Sequence, residues 1–338
     1  MAVKIISPAA SRAKAQSLSS MQSSKNRNKK GFVFTMMAIF FVIVAMTASI
    51  LFSKYTERSQ AISIESRVFT INNFIHDLER DMSRALYIAS FRALLGMTSY
   101  MSENGTYITN LSANFAELVL NGTIYNQTTE PTNDSYVTLW LAKVQQEAQD
   151  IGVTIDAYNY SLSLVQRETW NLEIEMNLTL VVQDAAGLAT WTKDDTIRTT
   201  IPITGLEDPL YTVGSDGLIS NIIIQTPFEF FVNQTTSNVS NLQQHAINSY
   251  YIEDTDAPSY VMRLQGLFSS SSFGIESTVY SLSLVPLGQY KNKSVVDHIY
   301  WSTSNPAHNA IQGMPSWYRL DNLTGHFDSY EVSDLVIN

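Results

Sequence analysis

Three histidines gather near the C-terminus, His298, His308 and His326, with three aspartates, Asp297, Asp321 and Asp328, close to them in sequence. Imidazole nitrogens and carboxylate oxygens are the donors from which three-ligand metal sites are built. Their spacing here matches no established ligand pattern, and isolated loop histidines are as a rule surface residues, so the expectation is no metal. Asp254-Thr255-Asp256 alternates acids but lacks the glycine and terminal glutamate of a calcium loop, which makes it an acidic turn. The run Ser269–Ser272 lacks the strand–elbow–helix setting of a nucleophilic serine and reads as a loop. The phosphate-binding G-x-x-x-x-G-K-[ST], the dinucleotide G-x-G-x-x-G, H-E-x-x-H and G-x-S-x-G are all absent. There is no cysteine, which removes disulfides, thiolate metal sites and cysteine nucleophiles. Trp301, Trp317 and Tyr318 have the chemistry to stack on a sugar, but the favoured reading puts them in a core. No catalytic residue and no cofactor follows from this search.

The element that must organise the chain lies at the other end. Gly31 to Ser53, GFVFTMMAIFFVIVAMTASILFS, holds no charge. Its 22 residues from Phe32 onward would make a helix of ~33 Å, enough for a hydrocarbon core of ~30 Å. Residues 1–30 carry Lys4, Arg12, Lys14, Lys25, Arg27, Lys29 and Lys30 and no acid, so the positive-inside rule keeps the N-terminus cytoplasmic. The remainder carries 14 basic and 31 acidic residues, a net charge of −17 that would repel nucleic acid. Sequons begin at Asn104, Asn110, Asn121, Asn126, Asn133, Asn159, Asn177, Asn233, Asn238, Asn292 and Asn322, all beyond the apolar stretch, as expected of a glycosylated exterior. A cleaved secretory signal fits less well, because the apolar run is too long and no A-x-A site follows it.

KKG followed by FVFTMMAIFFVIVAM resembles the prepilin-peptidase site of type IV pilins and of archaeal class III signal peptides. The resemblance implies cleavage between Gly31 and Phe32, with the apolar helix as the new N-terminus. Two features depart from the pilin pattern: Met36 stands at the fifth position after the cut, where many pilins carry glutamate, and the leader is long at 31 residues. The phrases GLEDPLY (Gly205–Tyr211), FGIES (Phe273–Ser277) and VVDHIYW (Val295–Trp301) are similar to those of archaeal membrane-anchored surface proteins with no assigned activity. Many sequons without cysteine also suit an archaeal envelope.

Beyond the apolar stretch, no proline or glycine occurs from Lys54 to Leu95, and apolar residues recur at Ala61, Ile64, Val68, Ile71, Ile75, Leu78, Met82, Ala85 and Ala89. Steps of three and four make a heptad seam. It serves either to pack on the chain's own ectodomain, which Phe69, Phe74, Tyr87 and Phe91 favour by widening the face, or to join copies of the chain. Gly96 is the expected stop. Residues 97–134 read as a loop-rich insert with a short helix near Ala113–Leu120, and Tyr136–Asp150 as an amphipathic helix. Leu172, Ile174, Met176, Leu178, Leu180 and Val182 alternate with polar residues, the signature of a half-buried antiparallel strand. A strand from Val153 precedes it, with a parity change near Ala157 that suggests a bulge; Leu188–Ile203 forms a third strand. After a boundary near Gly205, strand-like runs occupy 218–224, 228–232, Tyr260–Phe268, Ile275–Val285, Val295–Trp301 and Tyr330–Val336, with a polar helix near Val239–Tyr250. The hexapeptide YSLSLV occurs twice, at Tyr160–Val165 and Tyr280–Val285, and is read as coincidence.

The expected fold is therefore α+β. It comprises a basic arm or leader (1–30), a transmembrane helix (31–53) continuing into a long amphipathic helix (54–96), a helix-plus-meander part (97–205) and a β-rich part (206–338). The expected protein is a single-pass, glycosylated cell-surface protein of pilin-like architecture with a structural or adhesive role. Its partners are the lipid bilayer and, through the 61–89 helix, other copies or pilin-like subunits. A membrane-anchored ectoenzyme or glycan-binding module is the alternative.

Overall fold

A computed structural model describes residues 29–187 and 189–337. The chain divides into two compact units, residues 1–66 and 67–338, and it combines helices with antiparallel sheets, as α+β requires.

In the first unit the described residues are all helical and form the beginning of α1 (Lys29–Asn104). The large apolar side chains from Phe32 to Phe52 are exposed, Phe34 by 75% and Phe52 by 73%. Two threonine hydroxyls bond within the helix. Thr35 Oγ1 donates to the carbonyls of Gly31 and Phe32 at 3.1 and 2.9 Å, and Thr47 Oγ1 to those of Ile43 and Val44 at 2.9 and 3.0 Å. A helix in an apolar medium needs this internal pairing. α1 is long and apolar enough to cross a membrane, a property that membrane anchors share with signal sequences. Of the basic arm, Lys4 to Arg27 lie outside the described residues, whereas Lys29 and Lys30 are the first residues of α1.

The second unit is built on the rest of α1. From Ile71 onward the seam turns inward: Ile71, Leu78, Met82, Leu86, Ala89, Ala93, Leu94, Met97 and Met101 are buried in one core with the sheet. The helix does not stop at Gly96. A Cβ there would stand 2.7 Å from Thr129 Oγ1 and 3.2 Å from Thr132 Cγ2, so this glycine serves close packing inside the helix rather than a C-cap. α2 (Leu111–Asn121) is longer than expected, and a small hairpin of β1 (Thr123–Ile124) and β2 (Gln127–Thr128) follows it. α3 (Val137–Asp150) leads into the meander β3 (Val153–Glu168), β4 (Asn171–Asp184) and β5 (Thr190–Pro202), in the order β3-β4-β5. Leu188 lies outside the described residues.

β4 is the centre of this unit. Leu172, Ile174, Met176, Leu178, Leu180 and Val182 all face the core, and each such burial contributes about 1.5–3 kcal/mol. The other face carries polar pairs: Glu175 with Arg198 at 2.8 Å, Glu173 with Arg167 at 2.9 Å, and Thr179 with Asp194 at 2.7 Å. The parity change falls two residues later than expected. The register of β3 on β4 shifts between Tyr158 and Ser161, and Asn159 adopts a left-handed conformation, φ 57°. α1 is tied to the sheet by Arg67, which donates to Asp184 Oδ1 at 2.9 Å and to the Gly152 carbonyl at 2.7 Å, and by Glu79, which pairs with Lys193 at 2.6 Å. Asp81 accepts from the indole of Trp140 on α3 at 3.0 Å.

Residues 206–338 correct the β-rich expectation. They hold α4 (Pro209–Gly214), α5 (Ser240–Asn248), β6 (Tyr251–Glu253), α6 (Tyr260–Leu264), β7 (Ile275–Ser277), α7 (Asp297–Trp301), β8 (His308–Ile311), β9 (Arg319–Asp321), α8 (His326–Ser329) and β10 (Val336–Ile337). β6 pairs with β7, and β10-β8-β9 make a second small sheet. The runs at Tyr260–Phe268 and Val295–Trp301 contain short helices instead of strands, the run at 218–224 makes a single bridge, at Ile222, and 228–232 makes none. A short apolar run does not distinguish a buried strand from a buried helical turn. The YSLSLV echo carries no repeat, since the first copy lies in β3 and the second around a 3-10 turn.

Candidate metal centre in a buried charge network

The interior of the C-terminal half is strongly polar. Arg263, on α6, is completely buried. Its Nη1 donates to Asp208 Oδ2 at 2.6 Å and to Asp297 Oδ2 at 2.8 Å, and its Nη2 donates to the carbonyl of Ile275. Asp208 caps α4 through the amide of Leu210 at 2.9 Å and also accepts from the hydroxyl of Tyr251 at 2.8 Å. Asp297 opens α7 and accepts from the Ser277 amide and hydroxyl at 3.0 and 2.7 Å and from the His298 amide at 2.5 Å. One guanidinium between two carboxylates leaves a net negative charge, and the acids respond differently. Burial raises Asp208, with Arg263 offsetting only part of it. Burial also opposes ionisation of Asp297, but Arg263 and the side chain of His298 outweigh it and hold Asp297 below the usual carboxylate range. The difference follows the donors, of which Asp297 has the larger set.

The backbone passes directly from this triad to a second cluster. Next to Asp297 is His298, and next to Ser277 is Glu276 on β7. Glu276 and His326 are fully buried and His298 is 7% exposed. These three offer one ligand atom each, all within 4.8 Å of one another. His326 Nε2 lies 3.1 Å from Glu276 Oε2, and His298 Nδ1 lies 3.8 Å from the same oxygen. On its other side His326 Nδ1 is 3.0 Å from Asp321 Oδ1, at the end of β9. Burial would lower the His326 imidazole, but Asp321 and Glu276 together push it up to about 10. Asp321 moves the opposite way: burial opposes its charge, and His326 brings it below its ordinary value. Glu276 Oε1, His298 Nδ1 and Asp321 Oδ2 are buried without a hydrogen-bond partner.

Tight packing places these side chains. Gly274, just before β7, is closely enclosed. A Cβ there would fall 2.1 Å from the Asp254 carbonyl and 2.2 Å from that of Ala257. Any larger residue would drive β7, and Glu276 with it, away from this position.

Of the six residues that sequence suggested for a metal, the structure brings together His298 and His326, with Asp297 and Asp321 in contact with them. It leaves His308 apart on β8, with Nδ1 3.0 Å from the Pro306 carbonyl, and Asp328 exposed. Glu276 was missed. One signal for it exists: it is the sole charge between Arg263 and Lys291. The three phrases GLEDPLY, FGIES and VVDHIYW turn out to supply Asp208, Glu276 with Ser277, and Asp297 with His298, so they meet in one network.

Other candidates resolve simply. Asp254 Oδ1 accepts from the Asp256 amide at 2.8 Å, which closes an ordinary acidic turn. Trp301, Trp317 and Tyr318 are buried in apolar clusters and offer no sugar platform. Ten sequon asparagines, Asn104, Asn110, Asn121, Asn126, Asn133, Asn159, Asn233, Asn238, Asn292 and Asn322, are exposed. Asn177 is half-buried on the central strand, where Oδ1 accepts from Thr196 Oγ1 at 2.6 Å. Gly31 and Phe32 lie in the first turns of α1.

Compared with known proteins, the chain matches no family model, no curated protein and no solved structure.

Proposed function

We propose that the chain is a single-pass, membrane-anchored, glycosylated cell-surface protein of pilin-like architecture, with a structural or adhesive role as a pilin-like subunit or envelope component. The observation that carries this reading is α1. Its uncharged stretch from Gly31 to Ser53 exposes its large apolar side chains, in a helix that continues unbroken to Asn104. Lipid is the medium in which such a surface is stable. The helix continuing onto an antiparallel meander supports the pilin-like outline, and the exposed sequons support an exterior location for residues 67–338. Ile71, Leu78, Met82 and Ala89 are taken up by the chain's own core, which leaves Ala61, Ile64 and Val68 of the seam exposed for contacts between copies.

The mature N-terminus tests the proposal. The expected result is a chain that sediments with membranes, is released by detergent, and begins at Phe32 by intact mass. A membrane-bound chain that begins at Met1 or Ala2 removes the pilin-like part and leaves an uncleaved anchor. A soluble chain that begins beyond Ser53 makes the apolar stretch a signal sequence and overturns the anchor as well.

A further inference from the structure

We propose that Glu276, His298 and His326 bind a divalent transition-metal ion, with zinc the best fit, and that this ion fastens together the segments of the C-terminal half that carry them. The inference is independent of the membrane reading. It rests on four observations.

The first is convergence. Three residues far apart in sequence, on β7, α7 and α8, place one ligand atom each within 4.8 Å of one another. The second is donor chemistry. Two imidazole nitrogens and one carboxylate oxygen suit a borderline ion such as zinc, whereas calcium and magnesium take sites built of oxygen. The third is outer support. Asp321 Oδ1 holds His326 Nδ1 at 3.0 Å, which turns Nε2 toward Glu276 Oε2 at 3.1 Å. A carboxylate behind a ligating histidine is the usual device for fixing the ring and raising its basicity. The fourth is unmet demand. Glu276 Oε1 and His298 Nδ1 are buried without a hydrogen-bond partner, and Glu276 Oε2 has only His326 Nε2 at 3.1 Å. Buried polar atoms normally have partners, and a carboxylate without one is strongly disfavoured. Among the described residues no lysine or arginine pairs with Glu276 or Asp321; the one buried arginine, Arg263, is committed to Asp208 and Asp297. A dication would balance the two carboxylates and give Glu276 and His298 Nδ1 a partner, with His326 Nε2 turning to it from Thr324 Oγ1, 3.0 Å away.

Burial decides the role of the ion. Glu276 and His326 are fully buried and His298 nearly so, which describes a closed, structural site. Without cysteine the chain has no disulfide with which to fasten these loops. A metal bound by β7, α7 and α8 performs that task, and its binding adds to folding stability.

The test uses the untagged full-length chain in detergent, stripped with a chelator and then dialysed against zinc, calcium or magnesium chloride. The expected result is about one zinc retained per chain, with no calcium or magnesium, and a melting temperature that rises with zinc and falls again with chelator. Cobalt(II) titrated into the stripped wild-type chain should give visible d–d absorption, which zinc abolishes. Glu276→Gln and His298→Ala should each weaken zinc retention at least roughly tenfold, whereas His308→Ala, outside the cluster, should retain it. Wild-type chain that retains no zinc and melts identically with and without it overturns the proposal, with no reliance on how the variants fold. Retention of calcium in place of zinc overturns the assigned chemistry, and undiminished zinc in both Glu276→Gln and His298→Ala overturns the assigned ligands.

Discussion

His245 and His326 show how the same side chain takes opposite roles according to what surrounds it. His326 lies between carboxylates. His245 lies among Phe231, Tyr250 and Tyr330, with a single hydroxyl, that of Thr226, 3.2 Å from Nδ1 and no partner for Nε2. Burial without a counter-charge pushes His245 down to about 3. The unfolded chain therefore binds a proton near pH 6.5 that the folded chain refuses, and stability is lost as pH falls from there toward 3. The slope attributable to this residue is about 1.4 kcal/mol per pH unit. His245→Gln should flatten the dependence of unfolding free energy on pH over that window, measured by urea titration at several pH values, whatever its effect at pH 7. Parallel profiles for the two proteins would show that His245 does not titrate in this way. The Arg263 triad is a third case. Removing one partner from such a buried group typically costs about 3–5 kcal/mol, which explains why Asp208 and Asp297 each collect several further donors.

At the scale of the element, α1 carries the largest difference between expectation and structure. The seam of threes and fours from Ala61 to Ala89 was legible, and the inward turn at Ile71 matches it. Its end was not legible, because Gly96 looks like a C-cap on propensity alone. Thr129, Thr132 and Leu118 decide the matter by packing against the face where a side chain would stand. Gly96→Val would therefore both crowd this contact and add a β-branched residue to the helix. The expected loss is about 1–3 kcal/mol, read as a lower denaturation midpoint with an unchanged slope. No loss of stability would mean that Thr129 turns aside freely and that the close approach is incidental. The meander shows the reverse case. Alternation over β4 was long enough to specify its faces, and the bulge followed from a change of parity in β3 that Asn159 accommodates in a left-handed conformation. Short runs such as Val295–Trp301 had no such length; there α7 brings Asp297 to Arg263 at 2.8 Å.

For the whole molecule, the proposed exterior location has a consequence that differs from one sequon to another. Ten of the asparagines stand on exposed positions, but Asn177 is half-buried on the middle strand and its carbonyl oxygen is engaged by Thr196. Glycan attached there must compete with side chains on β3 and β5. Glycopeptide mass spectrometry of native material should find modification after the apolar stretch, with Asn177 the least occupied site of the set. Full occupancy at Asn177 with none at exposed positions such as Asn121 or Asn292 would contradict this ordering. The charge asymmetry acts at the same scale. Residues 31–338 carry a net charge of −17, while Lys29 and Lys30 stand at the start of the apolar helix.

Sequence alone determined what depends on long, regular patterns: the uncharged stretch, the amphipathic helix after it, the face of β4, and the absence of cysteine. These are local periodicities or plain composition, and no tertiary partner is needed to read them. The tertiary structure decided what depends on meetings between distant residues. Glu276, His298 and His326 carry no motif spacing, because each comes from a different element and their separations in sequence reflect only the loops between. The GLEDPLY, FGIES and VVDHIYW phrases stood out as words, yet their shared meaning, one buried network of charge, exists only where the chain folds them together.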